Sequence, residues 1–141
     1  MRVYLDANIY IAYLQGESCE DEIADFFRIG ADCRFEIVAS RTTFEEVAQI
    51  CGDSATMLLQ QHVDEFRNAK KLAVVEKSPE DHEKAIGING QTHGRYGFND
   101  IIHLLLAQKH ADVLLSNDKK LLLFAPKFVK AKTLQEFMSE L

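Results

Sequence analysis

Glycine and proline together number only nine in 141 residues. That is too few for a linker, a fibre or a low-complexity chain. Cysteine is scarce as well: Cys19, Cys33 and Cys51 are odd in number, widely spaced and contain no C-x-x-C pair, so neither a disulfide framework nor a zinc site is indicated. Long apolar runs are missing. Leu121 to Ala125 is among the longest, far below the ~20 residues of a transmembrane helix, and no basic-then-apolar leader opens the sequence. These absences predict a cytoplasmic protein without a membrane segment. An excess of positive charge is also lacking, because 22 Asp and Glu outnumber 16 Lys and Arg for a net charge of −6. Coating of nucleic acid by bulk electrostatics is thereby excluded, and any polyanion must be met locally.

What is present is 47% apolar and 27% charged sequence, enough at this length to bury roughly two-thirds of the unfolded surface around one core. A single domain over 1–141 is expected. Met1–Leu5 reads as a strand that stops at Asp6, with helical spacing of Ile9, Tyr13 and Leu14 behind it. Further helices are expected over Cys19–Ile29, closed by Gly30, from a cap at Thr42 or Thr43 to Gly52, and over Ser54–Lys71 with Leu58, Leu59, His62, Val63 and Phe66 on one face. Phe35–Ala39 and Leu72–Val75 are strand-like, and Ser78-Pro79 opens a helix to Ile88. Gly87, Gly90, Gly94 and Gly97 suggest a pliable loop leading into Phe98–His110, a helix apolar on nearly every side and therefore central. Val113–Leu115, Lys119–Phe124, Phe128–Val129 and Thr133–Leu141 complete a strand, helix, strand, helix series, the last helix with a T-x-x-E capping box. Apolar strands alternating with helices predict an α/β/α sandwich on a mainly parallel sheet.

In such sheets ligands bind beyond the carboxyl ends of the strands. Asp6 and Asn8 follow the first strand, Ser40 and then Glu45 and Glu46 the second, and Ser116, Asn117 and Asp118 the Val113 strand, while Asp100 begins the apolar helix. Singly, each acid has an ordinary explanation as a cap or a solvated residue. Jointly they need a counter-charge, since two carboxylates about 4 Å apart repel by roughly 4 kcal/mol at an effective dielectric near 20. Oxygen donors alone suit Mg2+ or Mn2+. Such an ion can activate water against a phosphodiester.

Four blocks, VYLDANIYIAYL, VASRTTFEEVAQI, FNDIIHLLLAQKHADVLLSNDKKL and KTLQEFM, resemble the PIN domain family, metal-dependent ribonucleases that include the VapC-type toxins of toxin–antitoxin pairs. The resemblance assigns the family's acids to Asp6, to Glu46 six residues after Ser40, to Asp100, and to Asp118 in Ser116-Asn117-Asp118. It implies that Asp6 and Asp100 bind metal most directly, that Glu46 and Asp118 complete the shell or orient water, and that Asn8 and Ser116 support them by hydrogen bonds. Glu45 leaves a one-residue ambiguity. Asp-Ala-Asn in the first block, His103 within the apolar helix and Ala111 depart from the usual pattern without removing an acid.

RNA contacts are expected at Arg41, Arg95, Lys119 and Lys120, and Tyr96 and Phe98 are either base-stacking or core residues. No histidine pair has ligand spacing; His62, His82, His103 and His110 read as structural or exposed, and His93 as a residue to test for substrate contact. By analogy the partners are an RNA substrate, a small antitoxin and a second copy in a homodimer. Two other readings compete. One is a PIN-like binding module without catalysis; the other is a phosphohydrolase with Asp6 as nucleophile, like the haloacid dehalogenase group, against which stands Asn8 in place of the second Asp of D-x-D.

Overall fold

The computed structural model describes residues 1–16, 25–26, 35–54, 57, 61 and 72–141. Five strands form one all-parallel sheet: β1 (Arg2–Leu5), β2 (Glu36–Ser40), β3 (Leu72–Val75), β4 (Val113–Leu115) and β5 (Lys130–Lys132), in the order β3-β2-β1-β4-β5. Helices described are α1 (Ala7–Leu14), α2 (Arg41–Cys51), α3 (Pro79–Gln91), α4 (Phe98–His110), α5 (Lys119–Phe124) and α6 (Leu134–Ser139). Strand side chains alternate between two cores. Val3, Leu5, Ile37, Val113 and Leu115 pack with α1, Val47 and the Phe26, Phe35 and Phe137 rings, whereas Tyr4, Val38 and Leu114 pack against α4 and α5. This accounts for the unbroken apolar character of Val3–Leu5 in β1 and of β4, which are covered on both faces. Helix α4 is central as expected, with Ile101 to Ala107 all buried.

Three expectations shift. Gly87 is helical as the stretch to Ile88 predicts, but so is Gly90, because α3 runs on to Gln91 from a capping box of Ser78 and Asp81. Packing of Ala85 into the α4 core outweighs a cost of about 1 kcal/mol per helical glycine. The connecting loop is therefore short, and it turns where His93 and Gly94 adopt φ of 53° and 69°. The last strand starts at Lys130 rather than Phe128, since Pro126 draws Ala125–Lys127 into a 3-10 turn whose Ala125 carbonyl takes the amides of Phe128 and Val129. The cap of α2 is Ser40, which accepts from the Thr43 amide, not Thr42 or Thr43. Gly52 ends α2 at φ 84°. The helices expected over Cys19–Ile29 and Ser54–Lys71, with Cys19, Gly30, Cys33 and His62, lie outside the described residues apart from isolated positions. Among the described residues no helix is long and apolar enough to cross a membrane.

Candidate active site at the carboxyl end of the sheet

Strand β1 has β2 on one side and β4 on the other, so the helices leaving these strands diverge and open a crevice beyond their carboxyl ends. Asp6 stands at the exit of β1, and its amide donates to the Leu115 carbonyl of β4 (2.9 Å). Although Asp6 is the N-cap of α1, its side chain makes no capping bond. It accepts instead from the Ser116 hydroxyl (2.8 Å). Ser116 also receives the Asp118 amide (3.0 Å), and Asp118 caps α5 by accepting from the amides of Lys120 (3.0 Å) and Leu121 (3.3 Å). One buried serine thus sets two acids.

Asp100 lies in the first turn of α4, behind Gly97. A Cβ on Gly97 would stand 3.3 Å from Asp100 Oδ2, so glycine is what lets this carboxylate fold back over the helix start. Glu46 arrives from α2 and holds His103 Nε2 at 2.6 Å through Oε1. Glu45 is exposed and faces a shallow depression lined by Arg41, Thr42, Glu76 and Lys77. Of the two neighbouring acids, Glu46 is the one that shares the crevice.

The electrostatics report the same gathering. Burial pushes the Asp6 carboxyl above the usual range, Asp100 and Glu46 push it further, and His103 and the Ser116 hydroxyl oppose them. Asp100 is likewise raised by burial and by Glu46 and Asp118, against His103 and the Gly97 amide. In both carboxyls the charged form is disfavoured, because the surrounding donors and cations do not offset burial and the neighbouring acids. The donors are all carboxylate oxygens, which fits a hard divalent cation. Among the described residues no three acidic, histidine or cysteine groups yet meet at a common coordination point; the array is open.

Other expected residues divide. Asn8 is exposed on the first turn of α1. Arg41 is exposed and paired with Glu76 (3.0 Å). Arg95 and Lys120 both stand over the Tyr96 ring, at 5.8 and 5.5 Å, and Lys119 is exposed. Tyr96 itself is buried and stacked on Phe124 at 4.1 Å, hence a core residue. Phe98 is half-buried, with Lys77 Nζ 5.1 Å above its ring and His82 against its edge at 4.9 Å.

Of the two readings the sequence left for His103, structural or exposed, the structure shows the first, with a set of partners the sequence did not indicate. His103 is fully buried, and Nδ1 is 2.6 Å from the Tyr4 hydroxyl, which donates to Ser40 Oγ (2.8 Å). Burial alone would lower its pKa, but Tyr4, the hydrogen bond to Glu46 and the charges of Asp6 and Glu46 push it up to about 10. The available signal was its position one turn after Asp100 on the same face of α4.

Comparison with known proteins agrees with this architecture. The PIN domain profile matches residues 3–125. No curated protein matches the chain. Among solved structures, the crystal structure of VapBC2 from Rickettsia felis bound to a DNA fragment from their promoter is similar with a TM-score of 0.62 at 17% identity, over 94% of this chain and 98% of that one. With most of its length matched by the profile, this chain belongs to the PIN domain family, whose members are generally nucleases.

Proposed function

We propose that this protein is an Mg2+- or Mn2+-dependent endoribonuclease and the toxin of a toxin–antitoxin pair. The observation that carries the reading is the gathering of Asp6, Glu46, Asp100 and Asp118 beyond β1, β2 and β4, with Asp6 and Asp100 both raised by burial and by neighbouring acids. In this reading Asp6 and Asp100 hold the cation, Asp118 and Glu46 complete the array, and binding draws the open set together. A bound ion of this kind supplies a water of lowered pKa and a counter-charge for the phosphate. Ser116 holds Asp6 and the Asp118 backbone in place, and Glu46 Oε2 accepts from the attacking water. Arg41, Arg95, Lys119 and Lys120 meet RNA phosphates on the rim. Phe98 with Lys77 offers a ring and a cation to an unpaired base and its phosphate.

The test is cleavage of RNA with Mg2+ or Mn2+, with chelator, and by Asp100→Asn. Metal-dependent cutting that the variant lacks is the expected result; cutting that survives both chelator and substitution refutes the reading. The antitoxin is supported by the similarity to a chain of VapBC2, which is a complex bound to promoter DNA, and a cytoplasmic homodimer neutralised by that partner completes the proposal. The competing reading, a PIN-like module that binds RNA or protein without cutting, predicts RNA binding indifferent to metal.

A further inference from the structure

Helix α4 buries seven consecutive residues, and His103 alone among them is neither aliphatic nor small. A polar ring placed there costs a few kcal/mol unless its nitrogens are bonded. Both are, by contacts of 2.6 Å to Tyr4 and to Glu46. The Tyr4 hydroxyl donates to Ser40, and Ser40 is fixed by the Thr43 amide (3.1 Å) and hydroxyl (3.0 Å). Ser40 is also the N-cap of α2, the helix that carries Glu46. The path is therefore a closed ring: from the start of α2 through Tyr4 on β1 and His103 on α4, back to α2 at Glu46. A glutamate on a helix surface samples several rotamers, but this ring ties one oxygen of Glu46 to the two central elements that carry Asp6 and Asp100.

We propose that His103 is a positioning residue: by donating Nε2–H to Glu46 Oε1 it fixes that carboxylate against Asp6 and Asp100 and leaves Oε2 as its working oxygen. The role rests on the nuclease reading above. Substitutions separate it from simple packing, because His103→Leu fills space without a donor, while His103→Gln keeps an N–H close to the Nε2 position. Tyr4→Phe leaves His103 present but loosely held.

Three measurements test it: NMR of the ring N–H protons in metal-free protein, Mn2+ binding by calorimetry, and kcat and KM for RNA cleavage. A protected Nε2–H that disappears in Glu46→Ala is expected in the first. His103→Leu should lose about 10- to 100-fold in Mn2+ affinity or kcat with KM for RNA little changed. His103→Gln should recover most of that loss, and Tyr4→Phe should fall between. If His103→Leu does not fold, the Gln and Phe variants carry the same comparison. No protected Nε2–H in the wild type, a His103→Leu enzyme equal to wild type, or His103→Gln no better than His103→Leu would each overturn the role. A wild type that shows the Glu46-dependent proton but neither binds Mn2+ nor cuts RNA overturns the nuclease reading itself, and the positioning role with it.

Discussion

Asp6 and Asp81 are both nearly shut off from solvent, at 2% and 5% exposure, and the fold treats them in opposite ways. Asp81 closes the capping box of α3, accepting from the Ser78 amide (2.9 Å), and both its oxygens receive Lys109 Nζ of α4, at 3.1 and 3.0 Å. Burial works to raise its pKa, but the Ser78 amide and the Lys109 ammonium more than offset this and hold it below the usual range. Asp6 has one hydroxyl donor and the more distant charge of His103, and it faces Asp100 and Glu46. The two differ in depth as well as in partners: Asp6 lies deep in the fold, while Asp81 sits just under the surface where the half-exposed Lys109 reaches it. A carboxylate whose charge is fully met holds helices together; one left under-compensated at the ligand end of a parallel sheet is what the proposed cation site requires.

The largest expected effect comes from removing the Asp6 charge. Asp6→Asn keeps an oxygen for the Ser116 hydroxyl, so the local hydrogen bond survives while the repulsion from Asp100 and Glu46 is relieved. RNA cleavage should fall by more than ~100-fold, beyond what loss of a supporting contact costs. The metal-free protein, melted with chelator at neutral pH, should gain on the order of 1 kcal/mol, as expected where function is held at the cost of stability. A variant that melts lower than wild type would break the contrast with Asp81.

Asp81→Ala should do the reverse. Loss of the capping box and of the Lys109 contact costs about 1–2 kcal/mol, read as a lower melting temperature with cleavage unchanged. The sign of its pH dependence follows from the lowered pKa. A depressed folded value contributes stability above the ordinary aspartate value of 3.8, and that contribution is lost as pH falls through the folded value. The stabilities of wild type and variant should therefore converge as the solution is acidified below that range, and a gap that persists there would show that packing, not charge, separates them.

This contrast was only half legible in the sequence. Asp6, Ser116 and Asp118 could be placed because β1 and β4 are short apolar runs whose exits are set by period and polarity, and parallel sheets put chemistry at those exits. Asp100 could be placed because the helix behind it is apolar all round. His103 could not, since its partners lie 57 and 99 residues away and nothing local distinguishes a bonded ring from an intrusion. The same limit governs Gly90, beyond the expected helix end at Ile88, where local glycine preference pointed to a loop and packing of α3 on α4 decided for helix. It also governs the two neighbouring aromatics. Tyr96 is taken into the core by Phe124 and Phe98 is left at the rim with Lys77, a distinction made by α5 and α3 rather than by either residue's own neighbours.

The smallest effect concerns the rim. Arg41 leaves β2 beside the crevice but is paired with Glu76, both side chains more than 60% exposed. An ion pair so open to water contributes about 0–1 kcal/mol, so Glu76→Gln should change the melting temperature very little. It should instead release the guanidinium to phosphate, which a solvated partner competes for only weakly. RNA binding should then tighten slightly, and the slope of log affinity against log salt should steepen by up to about one phosphate contact. An unchanged slope would take Arg41 off the RNA path and leave Arg95, Lys119 and Lys120, on the α5 side of the acids, as the cations that guide the strand.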